Sequence, residues 1–183
     1  MFADLGAKVL DADRVVHRLM APNGRCYRRI IRQFGCGILR GKAIDRQKLA
    51  GIVFTAPAKR KKLEGIIHPC VRSEFKRLVA AYARGGRVKA VILEIPLLFE
   101  SGHYRWLSTT VVVKASQGAQ IERLRHKTKQ SQADILRRIK AQMPIAQKIR
   151  KADYVIDNRG DRRNTKKQVV KIWNDLISEN KKK

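Results

Sequence analysis

A chain of 183 residues is long enough for one domain with a real hydrophobic core and room for inserted sub-domains. Its 44% apolar and 31% charged residues are those of an ordinary soluble globular protein, and no apolar run approaches the roughly 18–20 residues of a membrane span. The charge is not ordinary: 42 Lys and Arg against 15 Asp and Glu leave a net +27. Such a surface attracts polyanions, whether phosphorylated substrates, nucleic acid or anionic membrane. The excess is spread along the chain, with runs at Lys59-Arg60-Lys61-Lys62 and Lys181-Lys182-Lys183. A solvated basic surface is the plainer reading, because only 6% of the residues are aromatics on which bases could stack.

Met1-Phe2-Ala3-Asp4-Leu5-Gly6 lacks the basic and apolar regions of a secretory leader and has the pattern of a last helical turn closed by Gly6. Lys8–Asp11 is a short strand ending at a carboxylate, and Asp13 stands where a helix through Leu19 begins. After the break at Pro22-Asn23-Gly24, Tyr27, Ile30, Ile31 and Phe34 follow at helical spacing, and Phe34-Gly35-Cys36-Gly37 closes that helix. Asp45 opens another through Leu49, Ile52, Val53 and Phe54, and Pro57 starts a longer one that Gly85-Gly86 ends. Within it, His68-Pro69 marks a kink or a helix start.

Residues 88–95 form a near-continuous apolar run interrupted by Glu94, the pattern of a parallel strand buried on both faces. Residues 109–113 and 154–156 repeat it. Helical segments separate these strands, so an α/β layered fold is expected. Residues 117–150 are polar and basic with a thin apolar stripe, suited to covering a site rather than building a core. Cys26, Cys36 and Cys70 form no C-x-x-C pair and have no His at ligand spacing, so reduced, buried thiols in a cytoplasmic protein are expected.

Two strand ends carry chemistry. In open α/β sheets ligands sit beyond the carboxyl ends of the strands. Asp13, in Asp11-Ala12-Asp13, could there take a proton from a hydroxyl or help hold Mg²⁺, or could simply cap the next helix. Glu94 has the place of a Walker-B-like acid acting on Mg²⁺ or its water. The arginines between 123 and 150 could clamp charge on a transferring phosphoryl group, although solubility explains most of them.

Taken in order, these pieces resemble the dephospho-CoA kinase family. The matching segments are Phe2-Ala3-Asp4-Leu5-Gly6-Ala7, Val9-Leu10-Asp11-Ala12-Asp13, Ile52-Val53-Phe54, and Ile67-His68-Pro69 with Val71-Arg72. They continue through Ile95-Pro96-Leu97-Leu98-Phe99-Glu100-Ser101-Gly102 and Gln120-Ile121-Glu122-Arg123-Leu124. Arg138-Ile139 with Ala141-Gln142-Met143-Pro144, and Ala152-Asp153-Tyr154-Val155-Ile156-Asp157-Asn158, complete the series.

The resemblance implies a P-loop NTPase-like three-layer α/β/α core over residues 1–13, 86–116 and 151–183, a helical CoA-binding domain at 14–85 and a lid at 117–150. It implies transfer of the γ-phosphoryl of ATP to the ribose 3′-hydroxyl of dephospho-CoA, with Mg²⁺, as the last step of coenzyme A synthesis. Asp13 would be the general base, and His68 and Arg72 would bind substrate. Arg123 and Arg138 would reach ATP phosphates from the lid, and Asn158 would lie near the adenine. Glu94 is the candidate acid for the metal.

Two departures stand out. The family opens with a central strand and a G-x-x-x-x-G-K-[ST] loop, which these 183 residues do not contain; an N-terminally truncated, impaired chain is therefore expected. Its lid usually carries Arg-Asp where this chain has Lys127-Thr128, and a lysine offers a point charge instead of a planar fork. The alternative reading takes +27 at face value, as a basic nucleic-acid-binding protein on a decayed kinase scaffold.

Overall fold

The computed structural model describes residues 1–86, 88–102, 104–128 and 131–180; His103, the lysine run at 181–183 and the Lys127 side chain lie outside the described residues. The chain divides into two compact units, Lys8–Pro96 and Met1–Ala7 with Leu97–Lys183.

In the first unit, β1 (Lys8–Asp11) runs parallel to β4 (Val91–Glu94), with Lys8 opposite Val91 and Asp11 opposite Glu94. A parallel pair needs a crossover, and here it is long and mostly helical. It comprises α1 (Ala12–Met20), α2 (Tyr27–Phe34), the two-residue strands β2 (Leu39–Arg40) and β3 (Ala43–Ile44), α3 (Arg46–Phe54) and α4 (Pro57–Arg84). Local chemistry sets most of these boundaries. Asp45 accepts from the N–H groups of Gln47 and Lys48 at 2.9 and 3.1 Å and starts α3. Pro57 occupies the first turn of α4, where its missing N–H costs nothing. Gly35, at φ +79°, closes α2. Val15, Leu19, Ile30, Ile38, Leu49 and Phe75 form the buried side of this unit. α4 continues through Pro69 rather than starting anew there.

In the second unit, Ala3–Leu5 is a single 3-10 turn closed by Gly6 at φ +97°. β5 (Val111–Lys114) runs parallel to β6 (Tyr154–Asp157). Between them lie α5 (Gln117–Lys127), α6 (Gln132–Lys140) and α7 (Ile145–Lys151), and α8 (Arg162–Asn180) follows. Ser116 and Ser131 cap α5 and α6 through their hydroxyls. Ile156, Val169 and Ile172 make the core against which Met1, Phe2 and Leu5 pack.

Two expectations are corrected. The strands are less buried than their apolar runs imply: Val91, Ile92 and Leu93 are half-buried, Val9 is 37% exposed and Val113 is 56% exposed. The reason is width, since each parallel ladder among the described residues has two strands. The cysteines also differ from one another, with Cys26 buried, Cys70 half-buried and Cys36 exposed. No described helix is long and apolar enough to cross a membrane.

Candidate active site

The carboxyl end of β1 shows which of its two acids caps α1. The cap of α1 is Asp11, whose Oδ1 accepts from the N–H groups of Asp13 (2.8 Å) and Arg14 (3.2 Å). The capping alternative for Asp13 is thereby removed. Asp13 sits in the first turn of α1 with its side chain exposed, and no hydrogen bond or ion pair engages its carboxylate among the described residues. A carboxylate with all its lone pairs uncommitted can accept a proton from an incoming hydroxyl.

Glu94 ends β4 opposite Asp11 and is exposed, so the parallel ladder carries both acidic turns to the same sheet end. Mg²⁺ prefers oxygen ligands, usually one or two carboxylates completed by substrate phosphates and water. Asp13 and Glu94 fit that donor chemistry, while no cluster of three or more His, Cys, Asp or Glu able to hold a metal alone occurs among the described residues. His68 and Arg72 lie four residues apart on α4 and so share a face; His68 is half-buried and Arg72 exposed.

In the second unit, Arg123 on α5 donates from Nη2 to the carbonyl of Asn158, just past β6, at 3.2 Å. Two sequence-predicted residues 35 positions apart are thus brought together. Asn158 is further held by the Thr165 hydroxyl, which donates to its Oδ1 at 3.0 Å, and by its own N–H, which donates to the Lys114 carbonyl at 2.8 Å. Arg138 lies exposed in the last turn of α6.

Several residues around this end carried no separate role in the sequence reading. Asp157 is engaged by Arg159 through Nε and Nη2 and by Lys114 at 3.2 Å. The Arg159 guanidinium, with Lys114 assisting, holds its carboxyl well below the usual carboxylate range. Gln168 pins the Asp157 backbone from both sides, accepting its N–H at 2.8 Å and donating to its carbonyl at 2.9 Å. At the other end of β6, Asp153 Oδ2 accepts from the Thr110 N–H and hydroxyl, both at 2.7 Å, which lowers its carboxyl too. Asp157 and Asp153 fell inside a segment that resembles the family, but their partners are distant in sequence and left no local signal.

The comparisons with known proteins agree with one another. The dephospho-CoA kinase family model matches residues 1–164. A dephospho-CoA kinase of Symbiobacterium thermophilum is 42% identical over 174 residues, spanning 94% of this chain and 72% of that protein. One from Geobacillus kaustophilus is 40% identical over 180 residues, spanning 96% of this chain and 89% of its own. A solved Thermus thermophilus structure superposes with a TM-score of 0.78 at 31% identity, covering 96% of this chain and 87% of that one.

Proposed function

The chain belongs to the dephospho-CoA kinase family, and on that premise we propose how its residues divide the work. The activity is ATP-dependent phosphorylation of dephospho-CoA. Asp13 is the general base. It accepts the proton of the ribose 3′-hydroxyl as that oxygen bonds to the γ-phosphorus, while the bond from that phosphorus to the departing ADP oxygen breaks. The observation that carries this role is the exposed Asp13 carboxylate at a strand end, left uncommitted because Asp11 does the capping.

Glu94 is the acid suited to Mg²⁺ or its water, and the ion when bound would neutralise charge on the ATP phosphates. Arg123 and Arg138 contact phosphate from a lid formed by residues 117–150, and Asn158 lies at the adenine. His68 and Arg72 bind dephospho-CoA within a helical domain at 14–85. A cytoplasmic location suits both substrates.

The phosphate-cradling G-x-x-x-x-G-K-[ST] motif does not occur in the 183 residues. Phosphorus NMR of the product made from ATP and dephospho-CoA tests the reading itself. Phosphate on the ribose 3′-oxygen supports it; phosphate elsewhere, or none, contradicts it.

One observation favours a second, separate property. Arg163, Lys167 and Lys171 stand exposed at four-residue intervals along α8. Such a basic stripe would bind nucleic acid with a steep salt dependence. Salt-insensitive or undetectable binding of a short RNA in anisotropy titrations removes that reading.

A further inference from the structure

We propose that the cleft between α1, the α1–α2 loop and α4 is an oxyanion site that takes a phosphate or pyrophosphate group. The cleft encloses about 330 Å³ and has Val15 and Leu19 as its apolar floor. Arg18 comes from the last turn of α1, Arg25 from the loop and Arg77 from α4, with Glu74 as the one carboxylate. Three guanidinium groups against one acid leave the lining at +2 in a volume suited to a small polyvalent anion.

The loop is built to bring Arg25 beside Arg18. A Cβ at Gly24 would collide with the backbone carbonyls of Leu19 and Arg18, so only glycine allows the chain to turn back this closely. The turn is fixed by the Gly24 N–H donating to Ala21 at 2.7 Å and the Cys26 N–H donating to Leu19 at 3.0 Å.

The three arginines are not equivalent. Arg77 is committed to Glu74, donating from Nε at 2.9 Å and Nη2 at 2.7 Å. Arg18 and Arg25 act on the Glu74 carboxylate only at longer range, and neither has a salt bridge within 4.0 Å among the described residues. Their planar forks remain available, and such forks match phosphate oxygens in bidentate fashion. Solubility alone explains a guanidinium in open solvent; it does not explain two uncommitted ones converging over an apolar floor behind an obligatory glycine.

The site goes beyond the functional reading above and does not depend on it, because binding is measured without turnover. The probe is inorganic pyrophosphate, titrated calorimetrically into the full protein at low salt. The Arg18→Gln/Arg25→Gln double variant should bind at least about tenfold more weakly, a loss of roughly 1.4 kcal/mol. Both side chains are exposed, so the fold should survive. Glu74→Gln removes the competing charge and should tighten binding, a change of sign that mere destabilisation cannot produce.

Steady-state kinetics of the double variant then identifies the source of the anion. A raised KM for dephospho-CoA with an unchanged KM for ATP assigns the site to the pyrophosphate of the acceptor substrate. Unchanged KM values alongside weakened pyrophosphate binding assign it to a free phosphate or pyrophosphate ion. Absence of pyrophosphate binding to the unaltered protein, or equal binding by the double variant, overturns the proposal.

Discussion

Glu100 Oε1 accepts from Lys148 Nζ at 2.7 Å and from the Met143 N–H at 3.0 Å, joining the turn at 97–101 to the segment that enters α7. Lys148 also donates to Gln142 at 3.2 Å, so one ammonium spans both sides of this junction. Burial pushes the Glu100 carboxyl up, but the Lys148 ammonium and the Met143 N–H more than offset it and hold it below the usual range. The Lys148 side chain is only 11% exposed, so a facing carboxylate matters to its charge.

Glu100→Gln keeps the shape and an acceptor for the Met143 N–H but removes the carboxylate charge that faces Lys148. A loss of about 1–3 kcal/mol in urea unfolding is expected. An unchanged midpoint would show that the junction contributes nothing.

Acid should unfold the second unit by a predictable route. Asp153, Asp157 and Glu100 all have folded carboxyls below their ordinary values. A carboxyl depressed in the fold binds fewer protons there than when unfolded. Its stabilisation is complete above the unfolded pKa, about 4 for Asp and Glu, and is lost as pH falls through the folded value. Thermal midpoints should thus be flat with respect to these groups above about pH 5 and fall below about pH 4. Glu100→Gln should reduce the steepness of that fall; an equally steep fall in the variant would exclude Glu100 as a contributor.

Asp11→Ala removes two hydrogen bonds at the start of α1 and should cost about 1 kcal/mol of stability, the usual value of an N-cap. Asp13→Ala should cost much less. The reverse order in chemical denaturation would make Asp13 the cap and undo its assignment as the uncommitted acid.

Arg123→Ala releases the Asn158 carbonyl. The KM for ATP should rise roughly tenfold, in line with one charge-assisted hydrogen bond, with the KM for dephospho-CoA little changed. A rise confined to dephospho-CoA would place Arg123 with the wrong substrate.

What the sequence made legible was local. Asp45 before Leu49, Pro57 at a helix start, and Gly6 and Gly35 at helix ends act on groups one to four residues away, so their meaning is readable in order. The β2–β3 pair was not, because strands of two residues carry no periodicity. Nor was strand burial: an apolar run reports what a strand can bury, whereas Val113 is exposed because of how few strands flank it. Thr110 with Asp153 is separated by 43 residues and Gln168 with Asp157 by 11, and each bond exists only once the chain has folded. At the site, Asp13 was legible through the resemblance, whereas the capping role of Asp11 needed geometry, since two acids two residues apart at a strand end look alike until one of them is seen to cap.

The most direct measurement is the rate of CoA formation from ATP and dephospho-CoA by Asp13→Asn, beside the unaltered protein. The variant should lose about 10²–10⁴-fold in kcat, the usual contribution of a general base, with both KM values nearly unchanged. An Asp13→Asn enzyme that keeps its kcat would contradict the account, because the carboxylate left uncommitted by Asp11 would then play no part in taking the proton.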